Sequence, residues 1–407
     1  MTTDDAYRIK VVFISSHFQP AWDWGGPVRS TWNLIRGLAR NGISVEVLTT
    51  NSRQHGIVDV PRLRYEEGVK ITTFPVVKGG TNQFINRNGL APLLWVELSK
   101  RISSNDIVHI DGFWGPTPLL AGAVCKLHGK PYVISTHGTL EQRSLKEKWV
   151  KKAVALQLGT RKLLMDSAKL HYTTKMEQDL SPSWARSFSV VIPNASENRA
   201  KGTGAVFRNR INVPEDTILL GLFGRIHPRK GIGFMLDVLS DVSKTANVRL
   251  VIVGPEEGEE IHIVKKRIAE LNISEFVSMV GMLKGNELDD AYAGVDLLVL
   301  PSYGESFGNV VVEAAMQGTP SIVSDCVGVR YWIEQNNMGV VLPLQQRAWI
   351  EAISGVNRSE IGRRWHRDAL KATANENFSI DAIAKQMIAV YEEAIRTKQV
   401  KAGVQPK

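Results

Sequence analysis

Cysteine is nearly absent from this chain. The only two among 407 residues, Cys125 and Cys326, lie 201 positions apart, which excludes a disulfide framework or a zinc knuckle and fits a reducing compartment. No apolar run approaches the roughly 18 residues that span a bilayer. The opening MTTDDAYR is acidic and polar where a secretory leader would be basic. A soluble, cytoplasmic protein is expected, held at most on the inner face of the plasma membrane. The chain carries no D-x-D pair of the kind that holds a divalent cation on a diphosphate, and no H-E-x-x-H or C-x-x-C. It also lacks G-x-G-x-x-G, so NAD or FAD binding is not supported. Neither a cofactor nor a metal is expected. No repeat period or low-complexity tract is visible.

What is present is an ordinary globular balance, 43% apolar and 22% charged. The length suggests two domains of roughly 200 residues each. The net charge of +9 comes from 50 basic and 41 acidic residues and is unevenly spread. Between Lys126 and Lys169 ten Lys or Arg face three acids, Glu141, Glu147 and Asp166. Such a patch attracts anionic lipid, nucleic acid or a phosphorylated substrate. No RNP-type aromatic strand or helix-turn-helix accompanies it, so nucleic acid is not the expected partner.

Apolar periodicity predicts an α/β protein. Ile9–Ser15 reads as a strand, a Gly-Gly loop follows, then helical spacing through Trp32, Ile35, Leu38 and Ala39, then a strand over Val45–Leu48. This is a βαβ unit, the opening of a parallel sheet. Further strands are expected at Ile107–Ile110 and Tyr132–Ser135, and helix from Leu140 to Leu170. The second half repeats the theme with strands at Ile218–Phe223, Val248–Val253, Val277–Val280, Val295–Leu300 and Ser321–Val323. Ile192–Gly204 is poor in large apolar residues and marks a boundary. The reading gives an N-terminal domain over 1–195, a second over 205–377, and an amphipathic helix at 378–400 that completes the first. Two doubly wound Rossmann-like domains would face a central cleft, with ligands beyond the carboxyl ends of the strands.

Four segments carry candidate chemistry. In Pro301–Ala315 a buried strand runs into a glycine-bearing loop, and a helix is expected to begin near Gly308, where free N–H groups suit a phosphate. Glu305 lies in the loop. Glu313 lies in the helix among Val311, Val312, Ala314 and Ala315, where a carboxylate needs hydrogen-bond partners, either sugar hydroxyls or an ordinary structural cap or pair. In Gly224–Gly231 a tight turn forces Arg225 and Lys230 together; an anion such as a diphosphate would relieve them, though the turn read alone is equally a solvated basic loop. In Pro20–Ser30, Gly25 and Gly26 allow close backbone approach to a ligand. In Ser135–Thr139, His137 ends a strand; a lone histidine there is more often structural, and only the other segments raise its standing as a functional one. No residue is an obvious enzymic nucleophile or base.

Together these segments resemble glycosyltransferase family 4, of the GT-B fold, from about Ile9 to Tyr391 and most densely over 218–335. Glu305-x7-Glu313 is similar to that family's E-x7-E motif, and Gly281, Leu288, Tyr292, Asp296, Pro301 and Gly318-Thr-Pro320 stand in its usual order. The chain departs from the pattern at Asp325–Val329, where many relatives carry Gly-Gly, and at Ile192–Ala195, which lacks the usual Gly after Asn. The resemblance implies a retaining, metal-independent transferase that moves a hexosyl unit from a nucleotide diphosphate sugar to a glycan acceptor. It implies that Glu305 holds donor-sugar hydroxyls, Glu313 the ribose, and Arg225 and Lys230 the diphosphate. Phe307 and the backbone at Gly308, Asn309 and Val310 would help cradle the distal phosphate and sugar. Gly25 and Gly26 would approach the phosphates, His137 would contact the donor sugar, and the base would lie near Met282, Leu283 and Lys284. The departing phosphate would accept the acceptor's proton.

His137-Gly-Thr-Leu-Glu141, followed by Lys146, Lys148, Lys151 and Lys152 with Trp149, Val150 and Val154 between, resembles bacterial exopolysaccharide or lipopolysaccharide transferases. That implies a polyprenyl-diphosphate-linked acceptor and peripheral contact with an anionic membrane, or else a solvated helix face. Two other readings share the fold: a nucleotide-sugar 2-epimerase, which needs no acceptor, and a non-catalytic nucleotide-sugar-binding subunit.

Overall fold

The computed structural model describes residues 8–54, 56–77, 90–197, 200–256 and 259–401. Contacts separate two compact units, Met1–Ala195 with Ile380–Lys407, and Ser196–Ser379.

The N-terminal unit carries strands β1 (Lys10–Ser15), β2 (Ser44–Thr50), β3 (Ser52–Arg53), β4 (Gly56–Ile57), β5 (Leu63–Glu66) and β6 (Val69–Phe74). They are followed by β7 (Ile107–Asp111), β8 (Tyr132–Ser135), β9 (Lys169–Tyr172) and β10 (Ser189–Val191). Eight of them form one sheet in the order β10-β9-β8-β7-β1-β2-β6-β5, while β3 and β4 form a short antiparallel pair. All neighbours in the large sheet are parallel except β5 on β6. The central strands are apolar on both faces, as a parallel sheet covered by helices requires. Their register sets Ser15, Asp111, Ser135 and His171 side by side in one row at the carboxyl ends.

The C-terminal unit is a six-stranded parallel sheet of β11 (Ile218–Phe223), β12 (Val248–Val253), β13 (Val277–Met279), β14 (Leu297–Leu300), β15 (Ser321–Ser324) and β16 (Gly339–Leu342). Its order is β13-β12-β11-β14-β15-β16. Buried side chains pack on both of its faces, in two clusters centred on Phe223–Tyr292–Val311 and on Met235–Leu250–Trp349.

The last helix, Ile380–Lys401, belongs to the N-terminal unit and packs on the helix Gly26–Arg40. Gly37 permits this: a Cβ there would stand 2.5 Å from the Ile380 carbonyl oxygen. The expected start at Phe378 is corrected. Phe378 closes the preceding helix, Arg367–Phe378, and its ring is buried with Phe307 and Trp332 in the C-terminal unit. The expected helix over Leu140–Leu170 is also corrected. It is broken at Lys148, which has left-handed φ, and again at Leu158–Gly159, and Lys169–Leu170 already belong to β9. Gly159 at φ 122° adopts a backbone that costs a side-chain-bearing residue strain, so the apolar periodicity runs through a point where the helix does not. The strands β5, β6, β9, β10 and β16, absent from the periodicity reading, complete the two sheets.

Candidate functional site

Each sheet presents chemistry at its carboxyl end. In the C-terminal unit the loops leaving β11 and β14 are fastened together. The Tyr303 N–H donates to the Arg229 carbonyl at 2.9 Å, and Gly231 lies so close to Pro301 that a Cβ would fall 2.0 Å from the Pro301 carbonyl oxygen. Gly231 has φ 70° and caps the helix Ile232–Val242. This fastening brings Lys230 Nζ to 2.5 Å from Glu305 Oε2. Glu305 is itself held by backbone: its N–H donates to Cys326 and its carbonyl accepts from Gly328. Glu305 thus gives Lys230 a carboxylate partner within the chain. Arg225 is exposed and makes no side-chain hydrogen bond or ion pair among the described residues.

Glu313 is half-buried, one turn into the helix Asn309–Met316, and the Tyr292 hydroxyl donates to its Oε2 at 2.7 Å. Gly308, at φ 105°, caps that helix, and its carbonyl accepts the Val311 N–H at 2.9 Å. Asn309 and Val310 are half-buried at its start. The Phe307 and Leu283 side chains are both buried in the apolar core, where their size and lack of polar atoms put them. Met282 and Lys284 on either side of Leu283 are exposed.

In the N-terminal unit His137 sits just past β8 on left-handed backbone (φ 48°), followed by Gly138 (φ 74°). Its Nε2 lies 2.5 Å from Asp111 Oδ1 at the end of β7. Asp111 also accepts the Ser15 hydroxyl at 2.8 Å and the Thr31 hydroxyl at 2.9 Å. Burial alone would raise the Asp111 carboxyl, but the charge and hydrogen bond of His137, with the Ser15 hydroxyl, hold it below the usual range. Conversely, burial would lower His137, yet Asp111 and then Glu177 favour the imidazolium and bring it above its ordinary value. Gly25 caps the helix Gly26–Arg40 with φ 86°, and Gly26 is its exposed first residue.

Two further histidines were not foreseen. His109 Nε2 and His171 Nδ1 both meet the Ser135 hydroxyl at 2.7 Å, while His109 Nδ1 meets the Tyr391 hydroxyl at 2.6 Å and His171 Nε2 the Ile192 carbonyl at 2.8 Å. Burial depresses His109 to about 3 and His171 to about 4, so both stay neutral near pH 7. They line a cavity of about 10 Å³ with Asp111, His137 and Thr31, room for roughly one water. Asp111, Glu177, His109 and His171 were missed, although for His109 and Asp111 a signal existed. In His109-Ile-Asp111 the period of two puts both polar side chains on one face at a strand end.

In the arm after β8, Lys146, Lys148 and Lys151 are exposed, as are Trp149 and Val150. Lys152 turns inward instead: its ammonium lies 5.5 Å from the Trp114 ring and donates to the Ser144 hydroxyl at 3.1 Å. Among the described residues no helix is long and apolar enough to cross a membrane.

Two parallel-sheet Rossmann-like domains, each with polar side chains gathered at its carboxyl end, define the class: the fold is that of the GT-B glycosyltransferases. Residues 205–398 match the family described as glycosyl transferases group 1, and residues 25–195 match the glycosyl transferase 4-like domain. The chain is 25% identical to the D-inositol 3-phosphate glycosyltransferase of Xylanimonas cellulosilytica, over 96% of this chain and 98% of that one. Among solved structures, sucrose-phosphate synthase from Thermosynechococcus elongatus superposes with a TM-score of 0.73 at 20% identity, covering 96% of this chain and 100% of that one. HepE of Anabaena, in complex with UDP and glucose, gives 0.71 at 17% identity, covering 95% and 100%. The chain belongs to the family 4 type of glycosyltransferases, and it is a transferase enzyme.

Proposed function

We propose that this enzyme transfers a hexosyl unit from a nucleoside diphosphate sugar to a glycan acceptor with retention of anomeric configuration and without a metal ion. The observation that carries the donor assignment is the set of groups at the carboxyl ends of β11 and β14. Lys230 and Arg225 offer cationic charge to a diphosphate, and Glu305 and Glu313 offer carboxylates to hydroxyls. HepE, similar in fold, holds UDP and glucose. Lys230 and Arg225 stabilise the charge that develops on the departing diphosphate, the role a divalent cation fills elsewhere. That leaving phosphate takes the acceptor's proton. Within the N-terminal unit, His137 with Gly25 and Gly26 contacts substrate.

The acceptor we propose is lipid-linked, through a diphosphate, in the synthesis of a bacterial surface polysaccharide, at the cytoplasmic side of the membrane. Exposed Trp149, Val150, Val154 and Leu158 interleaved with Lys146, Lys148 and Lys151 support a peripheral membrane contact there.

The test is a thermal-shift panel of UDP, GDP and ADP with their glucose and mannose conjugates, with and without EDTA. A ligand that binds only the native state raises its stability with concentration. One nucleoside diphosphate series stabilising the protein equally in EDTA is the expected result. No shift with any of them, or a shift that EDTA abolishes, would overturn the donor or the metal assignment respectively.

A further inference from the structure

We propose that Asp111 is a positioning residue for His137: it fixes the imidazole through Nε2 and leaves Nδ1 as the edge that meets substrate. The inference rests on the reading that places His137 at the substrate, and goes beyond it by naming what aims the ring.

The geometry converges from three directions. Asp111, with its side chain only 7% exposed, is held by the Ser15 hydroxyl from β1, the Thr31 hydroxyl from the helix Gly26–Arg40, and His137 from the loop after β8. A carboxylate with three donors from three elements has little freedom to turn, so the ring it binds has little freedom either. His137 Nδ1 makes no hydrogen bond among the described residues.

The backbone beneath the ring is fixed just as firmly. Glu177 is fully buried on the helix Lys175–Leu180. One of its oxygens accepts the Thr136 hydroxyl and the Gly138 N–H, both at 2.5 Å; the other accepts the Thr173 N–H at 2.7 Å and hydroxyl at 2.8 Å. These bonds tie the β8 exit to the β9 exit and hold His137 in left-handed backbone, which is unfavourable for a non-glycine residue. A side chain maintained there against that cost, with one ring nitrogen buried on a carboxylate, is aimed.

Chemically, Asp111 keeps the Nε2 proton in place, so Nδ1 alone changes state. With both nitrogens protonated the ring donates from Nδ1 to a sugar hydroxyl or to an oxygen gaining negative charge. The charged groups facing the ring are Asp111 from β7 and Glu177 from the helix Lys175–Leu180, and both favour that form. His109 from β7, His171 from β9 and His17 from the loop after β1 are neutral above about pH 4, and the Tyr391 hydroxyl on the last helix stays protonated.

The experiment is an NMR pH titration of the His137 ring in the full chain, assigned by His137→Gln, in wild type, Asp111→Asn and Thr31→Val. It is paired with pH profiles of turnover using UDP-glucose, or whichever sugar nucleotide the stability panel selects. In Asp111→Asn burial is opposed by Glu177 alone, so the His137 midpoint falls by a unit or more. The alkaline limb of kcat moves down with it, and kcat falls roughly 10–100-fold with KM changing less. In the His137→Gln background Asp111→Asn adds almost nothing. Thr31→Val, which removes one donor and no charge, covers the case in which Asp111→Asn fails to fold. It lowers kcat in the His137 protein and leaves kcat of the His137→Gln protein unchanged. An unmoved midpoint, or additive losses, with His137→Gln impaired overturns the role of Asp111 alone. Normal transfer by His137→Gln overturns the substrate role of His137, and the proposal with it.

Discussion

Lys230 and Glu305 stand 75 positions apart in sequence and 2.5 Å apart in space, each at the carboxyl end of a neighbouring strand of one sheet. The pair is half-sheltered, so each charge is compensated before any ligand arrives. A diphosphate must then compete with Glu305 for Lys230, and donor hydroxyls with Lys230 for Glu305. Two substitutions separate these roles. Lys230→Ala should lower kcat by about 100-fold or more, the size typical of losing one preorganised donor to a developing anion. Glu305→Gln should also slow transfer, yet bind the nucleoside diphosphate alone as tightly as wild type or more so, because Lys230 is released to it. Weakened diphosphate binding in Glu305→Gln, by calorimetry, would contradict this exchange.

The second carboxylate of the motif is held differently. Tyr292 is fully buried, stacked on Phe223 with ring centroids 4.2 Å apart, and directs its hydroxyl at Glu313. Tyr292→Phe keeps the packing and removes one hydrogen bond to a charged acceptor. It should weaken nucleotide affinity roughly tenfold at most, and Glu313→Ala should weaken it further. Equal affinity in wild type and Glu313→Ala would remove Glu313 from nucleotide binding.

The alternation of apolar strands with helical stretches made the two parallel sheets legible, and the loops after β11 and β14 were found because buried strands ran straight into Gly, Arg and Glu. What sequence spacing did not convey was partnership. Nothing local to Lys230 announces Glu305, since their meeting depends on β11 and β14 lying side by side and on Gly231 letting the two loops touch. The same holds for Asp111 and His137, which the register of β7 on β8 brings together. Glu177 was invisible for a further reason: on a short helix a glutamate usually faces solvent, and only the tertiary fold turns this one inward.

Stability against acid follows from the buried imidazoles. His109 and His171 have folded values of about 3 and about 4, below the unfolded value of 6.5. The unfolded chain therefore takes up protons first as pH falls through 6.5, and folding stability is lost from there down to the folded values. The slope approaches about 1.4 kcal/mol per pH unit for each histidine. His137 has the opposite sign: its raised value contributes stability below the unfolded value, which is lost as pH rises through the folded one. Urea melts of wild type and His109→Gln between pH 7.5 and 4.5 test this. The variant should be less stable at pH 7.5 and show a shallower decline towards pH 4.5; parallel declines would mean that His109 is not a titrating component of acid unfolding.

The arm after β8 makes a prediction that sequence alone posed in a different form. Four lysines there read as one patch, but the structure separates them. Lys146, Lys148 and Lys151 face out beside Trp149, which is 67% exposed, and Leu158 is 77% exposed farther along the arm. Lys152 is folded back over Trp114, where burial lowers its pKa. Reversing the three outward charges to Glu should reduce partition onto vesicles containing anionic lipid by on the order of a hundredfold or more, given the attraction of each lysine near such a surface. Lys152→Glu alone should disturb the packing on Trp114, and so thermal stability, more than vesicle binding. Trp149→Ala should weaken binding even at high salt, because its contribution is apolar burial, which salt does not screen. Retained vesicle binding by the triple Glu variant would show that the arm is a solvated surface, and a loss on Lys152→Glu as large as that of the triple variant would show that Lys152 does not stay folded back on the membrane.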